Sequence, residues 1–154
     1  MISKIAPETK YLNSDELNAF VAEALQKENV KGRKVLCIIP DSTRSMPMPE
    51  MFRAVCATLD GKAGKLDFLI ALGTHPPMPD DAIFKLLGIT AEERQTAFKS
   101  VGLYNHDWQN KQALAHIGTI STAEIAEISH GMLAQEAQVA INKRVLDYDF
   151  VCII

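Results

Sequence analysis

Residues 35–44 read VLCIIPDSTR, a short apolar run that ends in a proline and then four polar residues. The apolar part predicts a buried strand, because it is uninterrupted and rich in branched side chains. The polar part would then follow the carboxyl end of that strand, which is the edge where ligands bind in open α/β sheets. This stretch therefore predicts both a parallel sheet and a place for a binding site on it.

Residues 66–77 repeat this layout as LDFLIALGTHPP, an apolar run that leads into a glycine, a threonine and His75. If the two runs form neighbouring parallel strands, their carboxyl ends meet at one edge of the sheet. We therefore expect Asp41, Arg44 and His75 to converge there.

The remaining helices are predicted from apolar residues at helical spacing and from start and stop signals. We expect a helix that begins at Asn13 or Ser14, a second near Pro49, and a third that ends at Gly88. A capping box of Thr90 and Glu93 predicts a further short helix.

The remaining strands are less sharply defined in the sequence. Residues 113–128 combine a glycine with β-branched residues, and we interpret them as one or two strands. Residues 137–141 and 150–154 each read as a strand. Alternating strands and helices predict an α/β fold, with a mostly parallel open sheet and flanking helices as in Rossmann-like domains.

The predicted organisation is an N-terminal arm over residues 1–12 and an α/β domain over residues 13–154. The last strand stops on an apolar residue without a loop or polar tail, whereas chain termini usually lie at exposed positions. We therefore expect this domain to be truncated before a C-terminal domain.

The composition narrows the class of protein. The chain has 154 residues, of which 47% are hydrophobic and 23% charged, as is usual for a folded globular domain. A net charge of −3 without a basic cluster argues against a nucleic-acid partner. The apolar runs are too short to span a membrane, and no signal peptide is recognisable, so a cytoplasmic protein is expected. Three cysteines without a C-x-x-C pair are interpreted as structural.

Three residues at the predicted sheet edge could carry chemistry, and each also has a purely structural interpretation. Asp41 could orient a base or simply stabilise a turn. Arg44 could bind a carboxylate or phosphate through its guanidinium, or it could be a surface residue or pair with Asp41. His75 could be a general base, because imidazole titrates near neutral pH, or a hydrogen-bonded structural histidine.

Other histidines are weaker candidates. His106 and Asp107 could flank the site or form a polar turn, and His116 and His130 are interpreted as structural. The spacing of the possible donors matches no metal motif, so no metal ligand is expected in this chain. No phosphate-binding glycine loop or serine-hydrolase elbow occurs.

Three short segments together resemble one family. Residues 39–44, IPDSTR, resemble its Pro-Asp-x-Thr-Arg-Pro signature, and residues 71–78, ALGTHPPM, resemble its Ala-Leu-Gly-Thr-His signature. Asn105-His106-Asp107 is similar to a third patch. In this order and at this spacing, the segments are similar to the N-terminal domain of the nickel-pincer-nucleotide-dependent lactate racemases, from about residue 14 to the end.

This resemblance implies a racemase or epimerase, an isomerase acting on a 2-hydroxy acid. A histidine would take the hydroxyl proton while hydride moves to a nickel-pincer nucleotide and then returns to the opposite face. His75 aligns with that histidine, and Arg44 with the arginine that holds the substrate. Asp41 aligns with an aspartate beside the cofactor, and Thr43 is placed with it in cofactor binding.

Two departures from the family pattern shape the expectation. Ser45 stands where the family has a proline. The chain also ends before the segment that supplies a second histidine, the cofactor-bearing lysine and the histidine ligand of nickel. We therefore expect half a site, completed by a missing C-terminal domain. The alternatives are a small-anion-binding module without catalysis and a hydrolase that uses Asp41 and His75.

Overall fold

The computed structural model describes residues 2–6 and 10–154. The predicted arm has no helix or strand at residues 2–6 and 10–12, and its other residues lie outside the described part. The chain divides into two compact units, Met1–His106 with Tyr148–Ile154 and Asp107–Asp147. In chain order the elements are α1 (Ser14–Gln26), β1 (Lys34–Pro40), α2 (Met48–Leu59), β2 (Lys65–Ala71), α3 (Asp80–Leu87), α4 (Ala91–Gln95), β3 (Gly102–Asn105), β4 (Leu114–Ile120), α5 (Thr122–Ile128), β5 (Ala137–Asn142) and β6 (Phe150–Ile153).

The first unit contains a four-stranded parallel sheet in the order β3-β2-β1-β6. The predicted α/β fold with a mostly parallel sheet is therefore confirmed. The central strands β1 and β2 are buried along most of their length, which explains their continuous apolar sequences. Their last residues, Pro40 and Ala71, are register partners, so both strands end at the same level.

The core lies on the face of the sheet that alternate residues of β1 present. Val35, Cys37 and Ile39 are completely buried in one apolar cluster with residues of α1, α2 and α3. Phe52 of α2 packs its ring 4.9 Å from the ring of Phe68 on β2, which fixes that helix against the sheet. Cys37, like Cys56 and Cys152, is a free thiol.

The helices begin and end at the predicted signals. Asn13 caps α1 in a capping box with Glu16, and Thr90 caps α4 with Glu93. α2 carries Pro49 in its first turn, where a missing N–H group breaks no bond. Gly88 ends α3 with a φ of +63°, a left-handed conformation that favours glycine.

The second unit pairs β4 and β5 as an antiparallel sheet and contains α5. The prediction of one or two strands over residues 113–128 is correct for β4 and wrong for Thr122–Ile128, which is helical. Ser121 and Glu124 form a capping box there, and this local signal outweighs the β-branched residues.

A buried polar cluster lies toward the amino end of β2. Asp67 is completely buried and accepts a hydrogen bond of 2.8 Å from the N–H group of Gly102 on β3. It also pairs with the Nζ atom of Lys65 at 2.7 Å and accepts a hydrogen bond from the Tyr148 hydroxyl, just before β6. Burial, and then this hydrogen bond, raise the pKa of Tyr148 to about 12. Asp67 therefore links β2 to β3 and to the segment just before β6.

The substitution Asp67→Asn is expected to destabilise the fold by about 2–3 kcal/mol, because the single amide oxygen cannot accept from both Gly102 and Tyr148 and the neutral side chain cannot pair with Lys65. Urea denaturation at neutral pH measures this free energy of unfolding. Asp60→Asn, at an exposed aspartate, is the control and should change it by less than about 0.5 kcal/mol. Equal effects of both substitutions would contradict an anchoring role for Asp67.

Candidate active site

Two loops start side by side at the carboxyl edge of the parallel sheet. One follows Pro40 of β1 and the other follows Ala71 of β2, and these two residues are opposite each other in the register. The first loop supplies Asp41, Thr43 and Arg44, and the second supplies His75. The position of each side chain at this edge therefore follows from where its strand ends.

Of the four polar residues that these loops supply, Asp41 is buried, with 6% of its surface exposed. Its Oδ1 atom accepts hydrogen bonds from the Thr43 N–H group at 3.0 Å and from the Thr43 hydroxyl at 2.5 Å. The Arg44 N–H group donates to the Asp41 carbonyl at 3.3 Å, which closes a tight turn. The turn aims the other carboxylate oxygen, Oδ2, at the neighbouring loop.

His75 meets that oxygen. Its Nδ1 atom lies 2.6 Å from Oδ2 of Asp41. A carboxylate can only accept a hydrogen bond, so Nδ1 carries the proton and donates it. When the ring is neutral, Nε2 is then left with its lone pair, and no hydrogen bond joins Nε2 to another residue in the described part of the chain. The side chain is 55% exposed, so Nε2 is accessible.

A glycine turn delivers His75 to this position. The His75 N–H group donates to the Leu72 carbonyl at 3.0 Å, immediately after β2 ends. Gly73, inside this turn, has a φ of +59°, a conformation in which side chains are strained. The sequence Gly-Thr-His is therefore read as a turn that places an imidazole directly at the strand end.

The hydrogen bonds around Asp41 fix its charge. The Thr43 hydroxyl, and then the contact with His75, lower the pKa of Asp41 to about 2 from an ordinary value of 3.8. Asp41 is therefore ionised throughout the neutral pH range. A fixed negative charge therefore faces Nδ1 and keeps the proton of the neutral ring on that nitrogen.

Arg44 is exposed and lines the same cavity as Asp41, Thr43 and His75, which has a volume of about 450 Å³. Ile153 and Ile154 line it from β6 and its end. Arg44 makes no ion pair with any described residue, so the predicted alternative of a bridge to Asp41 does not occur. Its guanidinium is available to an anion in the cavity.

The weaker candidates His106 and Asp107, and the two histidines interpreted as structural, follow or lie on other elements. The His106 N–H group donates to the Ile70 carbonyl at 3.0 Å, directly after β3, and Asp107 begins the second unit. His116 lies on β4, with Nε2 3.2 Å from the Thr119 hydroxyl, and His130 follows α5 with a φ of +52°. His106 does not line the cavity.

Sequence reasoning missed the contribution of Asn105, the last residue of β3. Its carboxamide accepts a hydrogen bond from the Met78 N–H group at 3.1 Å and donates to the Met78 carbonyl at 2.9 Å. Met78 lies in the loop that carries His75. The only signal in the sequence was the position of Asn105 at the start of the Asn-His-Asp patch.

A larger concave region lies at the opposite, amino edge of the sheet. It has a volume of about 590 Å³, and the described residues that line it include Lys27, Lys31 and Lys62 but no histidine or cysteine. It offers charge without a proton acceptor near neutral pH. The carboxyl edge therefore remains the candidate active site.

Two properties of residues 2–6 and 10–154 bear on the class of protein. None of the helices there is both long and apolar enough to cross a membrane. No group of three or more histidine, cysteine, aspartate or glutamate side chains there is arranged to hold a metal ion.

Comparison with known proteins identifies the family. Residues 4–154 match the family model described as the lactate racemase N-terminal domain. The chain is also similar to the crystal structure of a protein from Thermotoga maritima, with a TM-score of 0.78 and 26% identity over 92% of this chain. It spans only 33% of the length of that structure, and no curated protein matches it. The match over nearly the whole sequence shows that the chain belongs to the lactate racemase N-terminal domain family.

Proposed function

We propose that this chain supplies the substrate-binding and proton-transfer half of a 2-hydroxy acid racemase or epimerase of the lactate type. The observation that carries the proposal is the Asp41–His75 pair, with Nδ1 held at 2.6 Å and Nε2 left accessible, beside a cavity lined by Arg44. The family assignment supports a substrate that carries a carboxylate and an adjacent hydroxyl.

Arg44 would bind the carboxylate of the substrate. A guanidinium can donate two parallel hydrogen bonds to a carboxylate, and this geometry fixes the orientation of a small acid as well as its position. The cavity walls contributed by Ile153 and Ile154 would contact the apolar substituent of the acid. The same anchor serves both enantiomers, because they differ only in the arrangement at the Cα atom.

His75 would act as the general base. Its Nε2 atom would take the proton of the substrate hydroxyl as the hydroxyl carbon becomes a planar keto group, and would later return it. Asp41 would hold the tautomer in which Nε2 is the acceptor and would stabilise the imidazolium. Thr43 would support Asp41, since its hydroxyl proton is already donated to Oδ1.

Inversion at the Cα atom also requires that its hydrogen leaves and returns as hydride. The nickel-pincer nucleotide of this family would supply the hydride acceptor. Its metal and its covalent anchor would be held by residues outside this chain. Asp41 and Thr43 would lie beside this cofactor, and a C-terminal domain would anchor it and close the cavity.

A hydrolase that uses Asp41 and His75 is less well supported. A hydrolase that forms a covalent intermediate needs a hydroxyl or thiol nucleophile within hydrogen-bond reach of the free imidazole nitrogen. In the described residues, the Nε2 atom of His75 has no such partner. A non-catalytic anion-binding module remains the alternative, because the unpaired Arg44 would suit it equally well.

The test compares binding with turnover. We expect nuclear magnetic resonance titrations of the chain with D-lactate and with L-lactate to shift the signals of Arg44 and His75 similarly, because a racemase must accept both enantiomers. The chain alone should not interconvert them, and adding a C-terminal polypeptide loaded with cofactor should restore turnover. Arg44→Gln is the matched variant and should remove binding of both enantiomers.

Three outcomes would contradict the proposal. Interconversion of lactate by the 154-residue chain alone would show that the site is not a half site. Preferential binding of phosphate over both lactates would favour the anion-binding module. Reconstitution with a loaded C-terminal polypeptide that binds the chain but gives no turnover would exclude the racemase.

A further inference from the structure

We propose that Asn105 is a positioning residue that sets the orientation of the His75 imidazole by holding the backbone of Met78. This inference rests on the proposed function, in which His75 is the base. Asn105 does not line the cavity, so it would act through the loop and not on the substrate.

The contact between Asn105 and Met78 is double. The Oδ1 atom accepts from the Met78 N–H group at 3.1 Å, and Nδ2 donates to the Met78 carbonyl at 2.9 Å. Both bonds are part-buried and join residues 27 positions apart. A carboxamide that donates and accepts at one peptide pair fixes that backbone in position and direction.

The sequence of the loop makes Met78 the natural point of attachment. Residues 76, 77 and 79 are prolines, which have no N–H group and a fixed φ. Met78 therefore provides the only backbone donor over residues 76–79, and that donor is bound by Asn105. The Met78 side chain also packs against the core cluster. Between Met78 and His75 few backbone torsions remain free, so a fixed Met78 restricts His75.

Asn105 is itself attached to the sheet. It pairs with Ile70 in the register of β2 and β3, and the next residue, His106, donates its N–H group to the Ile70 carbonyl at 3.0 Å. The imidazole is thus restrained from two strands, by Asp41 after β1 and by Asn105 at the end of β3. Without Asn105, only the turn at Gly73 and the bond to Asp41 would orient it.

The test measures the tautomer of His75 in the 154-residue chain by ¹⁵N chemical shifts of the ring at about pH 8, where an ordinary imidazole is neutral. In the unsubstituted chain we expect the form with the proton on Nδ1 to dominate. In Asn105→Ala the loop loses both bonds, and the form with the proton on Nε2 should rise several-fold. Asn13→Ala is the matched control, because it removes a helix cap elsewhere and should leave the tautomer unchanged.

A second variant covers the case in which the alanine variant does not fold. Asn105→Asp keeps the volume and the acceptor for the Met78 N–H group but cannot donate to the Met78 carbonyl. We expect a smaller shift in the same direction. An unchanged His75 tautomer in a folded Asn105 variant, or an equal change in Asn13→Ala, would overturn the proposal.

Tautomer and turnover are measured separately, so the positioning role of Asn105 and the proposed function can fail independently. In the assembled enzyme, Asn105→Ala should lower kcat several-fold with little change in KM, because Arg44 still binds the substrate. A tautomer shift in a protein that never racemises lactate would support the positioning contact and refute the function. An unchanged tautomer in an active racemase would refute the positioning contact alone.

Discussion

Replacement of His75 by alanine is expected to lower racemisation by the assembled enzyme on the order of 10³-fold, because His75 is the only histidine among the described residues that line the cavity. Binding should change little, since Arg44 still holds the substrate carboxylate. The measurement is the initial rate of D-lactate to L-lactate conversion, with KM determined separately. We expect the loss to lie in kcat.

The control for His75→Ala is His116→Ala, at an exposed histidine of β4 in the second unit. It should keep its rate within about two-fold, as expected for a surface substitution with no part in the chemistry. Imidazole added to the His75→Ala enzyme should restore part of the rate, because the vacated volume can admit a free base. A His75→Ala enzyme with full activity would exclude the proposed base.

Asp41→Asn is expected to reduce turnover nearly as far, on the order of 10³-fold, through the tautomer of His75. Both donors of Thr43 point at Oδ1 of Asp41, so the carbonyl oxygen of an asparagine must take that place. The amide nitrogen then faces Nδ1 of His75, which must become the acceptor. Nε2 would carry the proton and could not act as a base. Rates measured with Asp60→Asn as control test this loss.

The same substitution has a second readout in the pH dependence of stability. The pKa of Asp41 is lowered from 3.8 to about 2 in the folded state, so its stabilising effect is complete above about pH 4 and is lost as pH falls toward 2. We therefore expect the difference in unfolding free energy between the unsubstituted chain and Asp41→Asn to shrink over that window. Urea midpoints across this range measure it, and a constant difference would contradict a depressed pKa.

The fold was predictable where the sequence signal is local. The runs before Asp41 and Gly73 predicted buried strands, because they are short, apolar at every position except Asp67, and bounded by turn residues. The approach of His75 to Asp41 then follows from two parallel strands ending at the same level. α5 was mispredicted because Thr122, Ile125 and Ile128 each favour strands. The reciprocal hydrogen bonds of the capping box at its first turn instead stabilise the start of a helix.

Other features could not be predicted because they depend on contacts distant in sequence. The pairing of Asn105 with Met78 requires that β3 lies beside β2 and that three prolines set the path of the loop. The cluster of Asp67, Lys65 and Tyr148 likewise joins residues as far as 81 positions apart. Apolar patterning shows which segments are buried, but it does not show which polar side chains will find one another.

The position of Asp67 has a practical consequence for redesign. This anchor lies toward the amino end of β2, whereas the proposed chemistry lies beyond the carboxyl ends of the same strands. Thermal stability and substrate preference therefore depend on different residues. Variants randomised at the cavity-lining residues Ile153 and Ile154 should include some that accept bulkier 2-hydroxy acids. The sheet should stay folded in them, because the Asp67 anchor is unchanged.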